Sequence, residues 1–390
     1  MNRRKFLLAS TATILGTEGA RGAPCPPASV SVIGGSTASS NCSLIPSRAD
    51  WQARSTGSGV FYATDFSEFS NRDALINAAY QTAYANDKYG NSGRYKVELE
   101  ESVKLSGKSL RSNLFSAEGA NEAGGSWNFS FDGVGTKTQN TKKDSFYFQF
   151  ALYADSTWAN WSYANGSKIC IIAMPNQSYG NAADLGVNEV VLFRDNIGPY
   201  PGLYRWSSAS ASGTSKCSAG WTNESGLFLS NYTHHVFYNA DPANTSRPAN
   251  STELANRFGK VQYGWTPSSN YYPRIESNGW TVYEVYVNRT YNGTGMIKVW
   301  SAPYGQAPLL WGGTTDARLG NNGYTGIQLL PRTENAWEGA WPSVDTFACY
   351  SEIICSDNPI TFPGGHAIPY PNTTLPSNYP WNGSKEVVDG

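Results

Sequence analysis

Polar side chains that can move a proton or hold an anion alternate with apolar ones along several short runs of the chain. "SFYFQFALYA" sets Phe146, Phe148, Phe150 and Leu152 against Tyr147, Gln149, Ala151 and Tyr153. "WTVYEVYVNR" sets Tyr283, Val285 and Val287 against Val282, Glu284, Tyr286 and Asn288. "GMIKVWSA" opposes Ile297 and Val299 to Lys298 and Trp300, and "GIQLLPR" opposes Ile327 and Leu329 to Gln328 and Arg332. Together these types contain the parts of a β-elimination beside a carboxylate. An amide or a cation neutralises the carboxylate and stabilises the developing enolate. A phenol or an imidazole then takes the acidified proton and returns one to the leaving oxygen.

The catalytic candidates are therefore His234, His235, Gln149 and Tyr286, with Tyr147, Lys298, Trp300, Gln328 and Arg332 as substrate contacts. The histidines are neighbours in "NYTHHVFYN", and successive strand side chains point to opposite faces, so at most one can enter a groove. Gln149 can donate to a carboxylate without a charge of its own, and a histidine can serve as base near neutral pH. One of the two histidines working with Gln149 is the sharpest form of the expectation. Other chemistries lack their parts. No H-E-x-x-H or C-x-x-C pair suggests a metal, and no cofactor is expected. The paired carboxylates of a jelly-roll glycosidase are missing too: Glu98 and Glu100 share their strand face with Lys96 and read as a solvated charged face.

The elements that must position these residues are strands. Period-2 alternation with one apolar face is the pattern of two sheets packed face to face. "KICIIAM" and "NEVVLF" read as strands buried on both sides. One helix stands out in "SNRDALINAAYQTAYAND", where Ser70 and Asp73 form a capping signature and Leu75, Ile76, Ala79, Tyr80 and Ala83 share a face.

The 390 residues carry a formal net charge of −1, which gives nucleic acid no basic surface to bind. "MNRRK" followed by "FLLASTATILG" reads as a signal peptide over residues 1–23, too short to span a membrane. Residues 24–57 read as a Pro/Ser/Gly-rich linker, 58–362 as the sandwich domain and 363–390 as an irregular tail. The expected product is a secreted monomer without a membrane partner. Asn-x-Ser/Thr sequons from Asn41 to Asn382 are in mild excess, which fits either a glycosylated secretory protein or an unglycosylated Ser/Asn-rich bacterial or phage surface protein.

Cysteines in an exported chain suggest disulfides. Cys25 and Cys42 are expected to close one loop. Cys349 and Cys355 are too far apart along a continuous strand to bond each other, so their partners are Cys170 and Cys217 or nothing, and the cross-sandwich pairing is the expectation. Tryptophans in or beside polar segments, Trp127, Trp158 and Trp206 among them, suit a sugar-stacking surface.

The run "WTVYEVYV…GMIKVWSA…GYTGIQLLPRT…YSEIICSDNPI" resembles the C-terminal half of a secreted and phage-borne β-sandwich family with a concanavalin A-like jelly roll. Upstream, "GKSLRSNLFSAEGANEAGGSWNFSF" and "SFYFQFALYADSTW" are similar to the family's G-x-L-R-F segment and its Q-F-R strand, so the resemblance spans residues 95–362. It implies an all-β, concanavalin A-like jelly-roll sandwich with one short N-terminal helix. It also implies a relation to polysaccharide lyases and carbohydrate-binding modules, hence a polysaccharide or glycan as partner. Gln149, Trp300 and Glu352 match the family pattern, whereas Ser351 stands where Asp is usual and Ala151 where Arg is usual. The closing strand is expected to run Phe347–Ser356 with Cys349, Ile353 and Cys355 on the core. The leading expectation is a lyase acting on a uronate-containing polysaccharide; the rival is a non-catalytic glycan-binding module or surface adhesin.

Overall fold

A computed structural model describes residues 47–80, 93–116, 125–160, 167–173, 188–194, 201–207, 275–290, 296–314, 323–329, 344–369 and 371. All belong to one unit, Leu44–Gly390. Its strands form two antiparallel sheets, and the all-β sandwich read from the sequence is the observed fold.

The larger sheet holds eight strands: β1 (Val60–Thr64), β2 (Val97–Glu100), β3 (Ser109–Leu114), β5 (Ser145–Ala154), β9 (Gly279–Asn288), β10 (Met296–Pro303), β11 (Leu309–Thr314) and β13 (Thr346–Ser356). Their order is β11-β10-β9-β5-β13-β3-β2, and β1 also pairs with β13. The smaller sheet, in the order β4-β12-β6-β7-β8, holds β4 (Trp127–Ser130), β6 (Ser167–Ala173), β7 (Asn188–Arg194), β8 (Pro201–Ser207) and β12 (Gly326–Leu329). Among the described residues three short helices accompany them: α1 (Arg48–Ser55), α2 (Arg72–Ala78) and α3 (Ser156–Asn160).

The alternation seen in the sequence decides which side chains meet between the sheets. Phe146, Phe148, Phe150, Val285 and Val299 from the large sheet pack with Trp127, Phe129, Ile172, Ile327 and Leu329 from the small one. Tyr62 stacks on Phe129 with ring centroids 4.2 Å apart, tying β1 across the core. Ile169 to Ile172 are all buried, as expected for β6.

Four details differ from the sequence reading. First, α2 is capped by Asn71, whose side chain accepts from the Ala74 amide, and it ends at Ala78; residues 81–87 lie outside those described. Second, residues 48–55 of the expected linker form α1, capped by Ser47. Third, Trp127 and Trp158 are buried core residues, and the Trp127 indole donates to the Leu75 carbonyl.

The fourth concerns β13. Ile353 and Cys355 do face the core, but Cys349 does not; Ala348 and Tyr350 do. The register against β5 shifts between Ser351 and Ile354, and Glu352 takes φ 50°. This bulge adds one residue and inverts the inward parity along the strand. Cys170, Cys349 and Cys355 are free and buried, so the expected cross-sandwich disulfides involving them do not form. Facing opposite sides of one sheet, Cys349 and Cys355 cannot both reach across it. Cys25, Cys42 and Cys217 lie outside the described residues.

Candidate functional site

The face of the large sheet turned away from the core gathers the polar candidates in two neighbouring rows. Tyr147 lies opposite Tyr286, and Tyr286 opposite Lys298. One step along, Gln149 lies opposite Glu284, and Glu284 opposite Trp300. The Tyr147 and Tyr286 rings stack with centroids 4.5 Å apart. Five sequence candidates thus converge: Tyr147, Gln149, Tyr286, Lys298 and Trp300. Gln328 does not join them. It sits on β12 in the other sheet, opposite Asn128 and Ile171, and is half-buried. His234, His235 and Arg332 lie outside the described residues.

The converged side chains are sealed in. Gln149, Glu284, Lys298 and Trp300 are each 0% exposed, and Tyr147 and Tyr286 only 6% and 5%. Their cover comes from both ends of the described chain: α1 on one side, and the segment from Asp357 to Pro371 on the other. Trp51 of α1 and Ile360, Phe362 and Ile368 of the segment pack into the same apolar cluster as Tyr147, Tyr286 and Trp300. The Trp300 indole donates to the Pro369 carbonyl (2.7 Å), and the Tyr147 hydroxyl donates to that of Pro371 (2.8 Å).

Arg54 is the fastener. Its guanidinium donates to Gln149 Oε1 (2.9 Å) and Asp50 Oδ2 (2.8 Å), and pairs with Glu352 of β13. The Tyr304 hydroxyl donates to Glu352 as well (3.1 Å). Gln149 Nε2 in turn donates to Glu284 (2.8 Å), whose other oxygen accepts from the Ile360 amide (3.1 Å). Asp50 also accepts from the Gly364 amide (3.0 Å), so helix and segment are tied to each other and to the sheet. The amide expected to face a substrate carboxylate instead faces the chain's own Glu284 carboxyl group. Arg54 and Asp50 went unrecognised in the sequence because they lie in the stretch read as linker; Glu284 was on the outward list, but nothing in its strand pattern marked it.

Electrostatics follow from this burial. Burial pushes the Glu284 carboxyl up to about 8, against the opposing effect of its hydrogen bonds from Ile360 and Gln149, so it is protonated at neutral pH. Burial likewise brings Lys298 down to about 8. Burial also works against the Arg54 charge, but Glu352 and Asp50 more than offset it and hold the guanidinium protonated.

Beyond this cover the same face is partly exposed, although Cys349 is buried. Glu98, Arg111, Cys349, Tyr153 and Trp280 stand directly opposite one another across β2, β3, β13, β5 and β9. Tyr153 and Trp280 are half-buried, with centroids 5.5 Å apart, and Phe347 stacks beside Tyr153 at 6.0 Å. Arg111 lies over the Phe347 ring at 3.7 Å and donates to Glu100 (2.9 Å) and Asn113 (2.8 Å). Asn113 donates in turn to Glu98 (3.1 Å). Among the described residues, no three His, Cys, Asp or Glu side chains are grouped to hold a metal ion.

No protein-family model matches the chain, and no curated protein matches it. Solved structures do resemble it in architecture. The PL-14 alginate lyase of Aplysia kurodai superposes with a TM-score of 0.41 at 10% identity, covering 67% of this chain and 86% of its own. An endo-β-1,4-glucuronan lyase from the fungus Trichoderma reesei gives 0.38 at 12% identity, over 70% and 93%. The carbohydrate-recognition domain of Emp46p gives 0.34 at 10%, over 75% and 94%. These likenesses assign no role to any residue of this chain.

Proposed function

We propose that the protein is an exported carbohydrate-active β-sandwich that engages polysaccharide on the outward face of its large sheet, as a glycan-binding protein. The observation that carries this reading is the division of that face. The proton-transfer candidates are enclosed beneath α1 and the segment from Asp357 to Pro371, while Tyr153, Trp280, Phe347 and Glu98 of the neighbouring row remain partly exposed. Half-buried aromatic rings beside a carboxylate match a sugar, which is apolar on its C–H faces and polar at its rim. Export rests on the basic and apolar N-terminal run. The test is retention of the purified protein on immobilised polysaccharides. Binding to at least one of them is expected, and passage through all of them overturns the reading.

A second reading, β-elimination from a uronate-containing polysaccharide, is favoured by one observation. Gln149, Tyr286 and Lys298 occupy adjoining strands in register, so neutraliser, phenol and amine are neighbours. In this reading the two covering segments must leave before substrate enters. Incubation with alginate, glucuronan, heparin and hyaluronan tests it through the ultraviolet absorbance of newly formed unsaturated uronate. Absorbance that grows in the native protein and is lost in Tyr286→Phe supports catalysis. No absorbance with any of the four leaves binding as the function. Variants of His234 and His235 run beside it test the expected histidine base.

A further inference from the structure

The charge of this partly exposed row sets the class of glycan it can take, and this step rests on the glycan-binding reading. A uronate polymer carries one negative charge per acidic sugar, and binding it calls for cations that are not already committed. Of the five residues in the row, one is cationic, and it is spoken for. Arg111 pairs with Glu100 at 2.9 Å, holds Asn113 at 2.8 Å and lies flat on Phe347. The next arginine toward the β13 end, Arg94, is paired with Asp345 at 2.5 Å. Glu98 and Glu100 both present carboxylates on this face, and Asp155 lies beside Tyr153 and Cys349. An approaching polyanion meets like charges, whose juxtaposition across an interface disfavours binding.

For an uncharged sugar the same residues are complementary. The half-buried Glu98 carboxylate can accept from hydroxyl groups. Tyr153 and Trp280 offer aromatic surface to the C–H faces of a ring. Neighbouring strands lie about 4.8 Å apart, so the row from Trp280 to Glu98 runs roughly 19 Å across the sheet. That is long enough for several consecutive sugar units lying across the strands.

We propose that Trp280, Tyr153, Phe347 and Glu98 form a binding site for a neutral, uncharged polysaccharide, laid across the strands from β9 to β2. Arg111 acts as a positioning residue that holds Phe347, Asn113 and Glu100 in place.

The experiment is affinity electrophoresis and column retention of the full chain on neutral polysaccharides (cellulose, xylan, mannan and a β-1,3-glucan) beside alginate and glucuronan. The variants are Trp280→Ala, Tyr153→Ala and the exposed control Lys137→Ala. Thermal unfolding is recorded for each, and Trp280→Phe is added to keep the ring if Trp280→Ala does not fold. The expected result is retention on a neutral polysaccharide that is unchanged by added salt. It should fall at least about tenfold in Trp280→Ala or Tyr153→Ala, a loss of about 1.4 kcal/mol in binding, and persist in Trp280→Phe and Lys137→Ala. Neutral-glycan retention untouched by these substitutions overturns the site and leaves the glycan-binding reading standing. Retention on alginate or glucuronan alone, released by salt, overturns the ligand class. Retention on nothing overturns both.

Discussion

Glu284 and Arg54 are two buried ionisable groups held in opposite states, and each has a measurable consequence. The Glu284 carboxyl rises from an ordinary 4.5 to about 8 in the folded protein because it is buried. Between those two values the unfolded chain has released the proton while the folded one keeps it. Stability therefore falls as pH rises through this window, and the full cost is present above about pH 8. Urea unfolding across the window should show this decline, and Glu284→Gln, which keeps the shape without the titration, should flatten it. Arg54 stays charged because Glu352 and Asp50 face it. Arg54→Ala leaves the Glu352 carboxylate buried without its cation and should cost about 3–5 kcal/mol, measured by the same method. At this scale the sequence was half legible. Gln149, Tyr286 and Lys298 announce themselves by alternation with apolar neighbours. Arg54 does not, because its partner Glu352 is 298 positions away and no local pattern connects them.

Strand β13 and helix α1 show where element-level reading succeeds and fails. The strand's ends, its apolar character and the facing of Ile353 and Cys355 follow from period 2. Its first half is inverted because Glu352 adopts a left-handed backbone and adds a residue, a choice made by the sheet and not by the strand's own composition. That inversion removes Cys349 from the core while leaving it covered, and burial pushes the thiols of Cys170, Cys349 and Cys355 up. All three should resist iodoacetamide in the native protein and become labelled, without any reductant, once it is unfolded. Peptide mapping that finds one of them in a disulfide would refute this. Helix α1 is eight residues long, below the length at which an isolated helix is stable in water. It exists because Ser47 caps it and because Trp51 and Arg54 dock onto the sheet, and those docking partners are invisible from within "RADWQARS". The cover over Gln149 was hidden for the same reason.

At the scale of the molecule, the chain's order and the sheet's order disagree. β13, the last of the described strands, lies in the interior of the large sheet, where β5 flanks one edge and β3 and β1 share the other. Val60 pairs with Ser356, close to the full span of the domain. A chain ending before Thr346 lacks the strand to which three others attach and should give no cooperative melting transition by circular dichroism. Loss of the segment after Ser356 should leave the sandwich folded, with its outward face stripped of part of its cover. Such distant pairing also makes folding slow, since loop closure must precede the contacts that reward it. On a ribosome adding about 5–20 residues each second, β1 waits roughly 15 to 60 seconds for its partner to be made. Throughout that interval several strands have an unpaired edge and an uncovered apolar face, which makes the nascent chain, far more than the finished protein, the form exposed to proteases and in need of a chaperone.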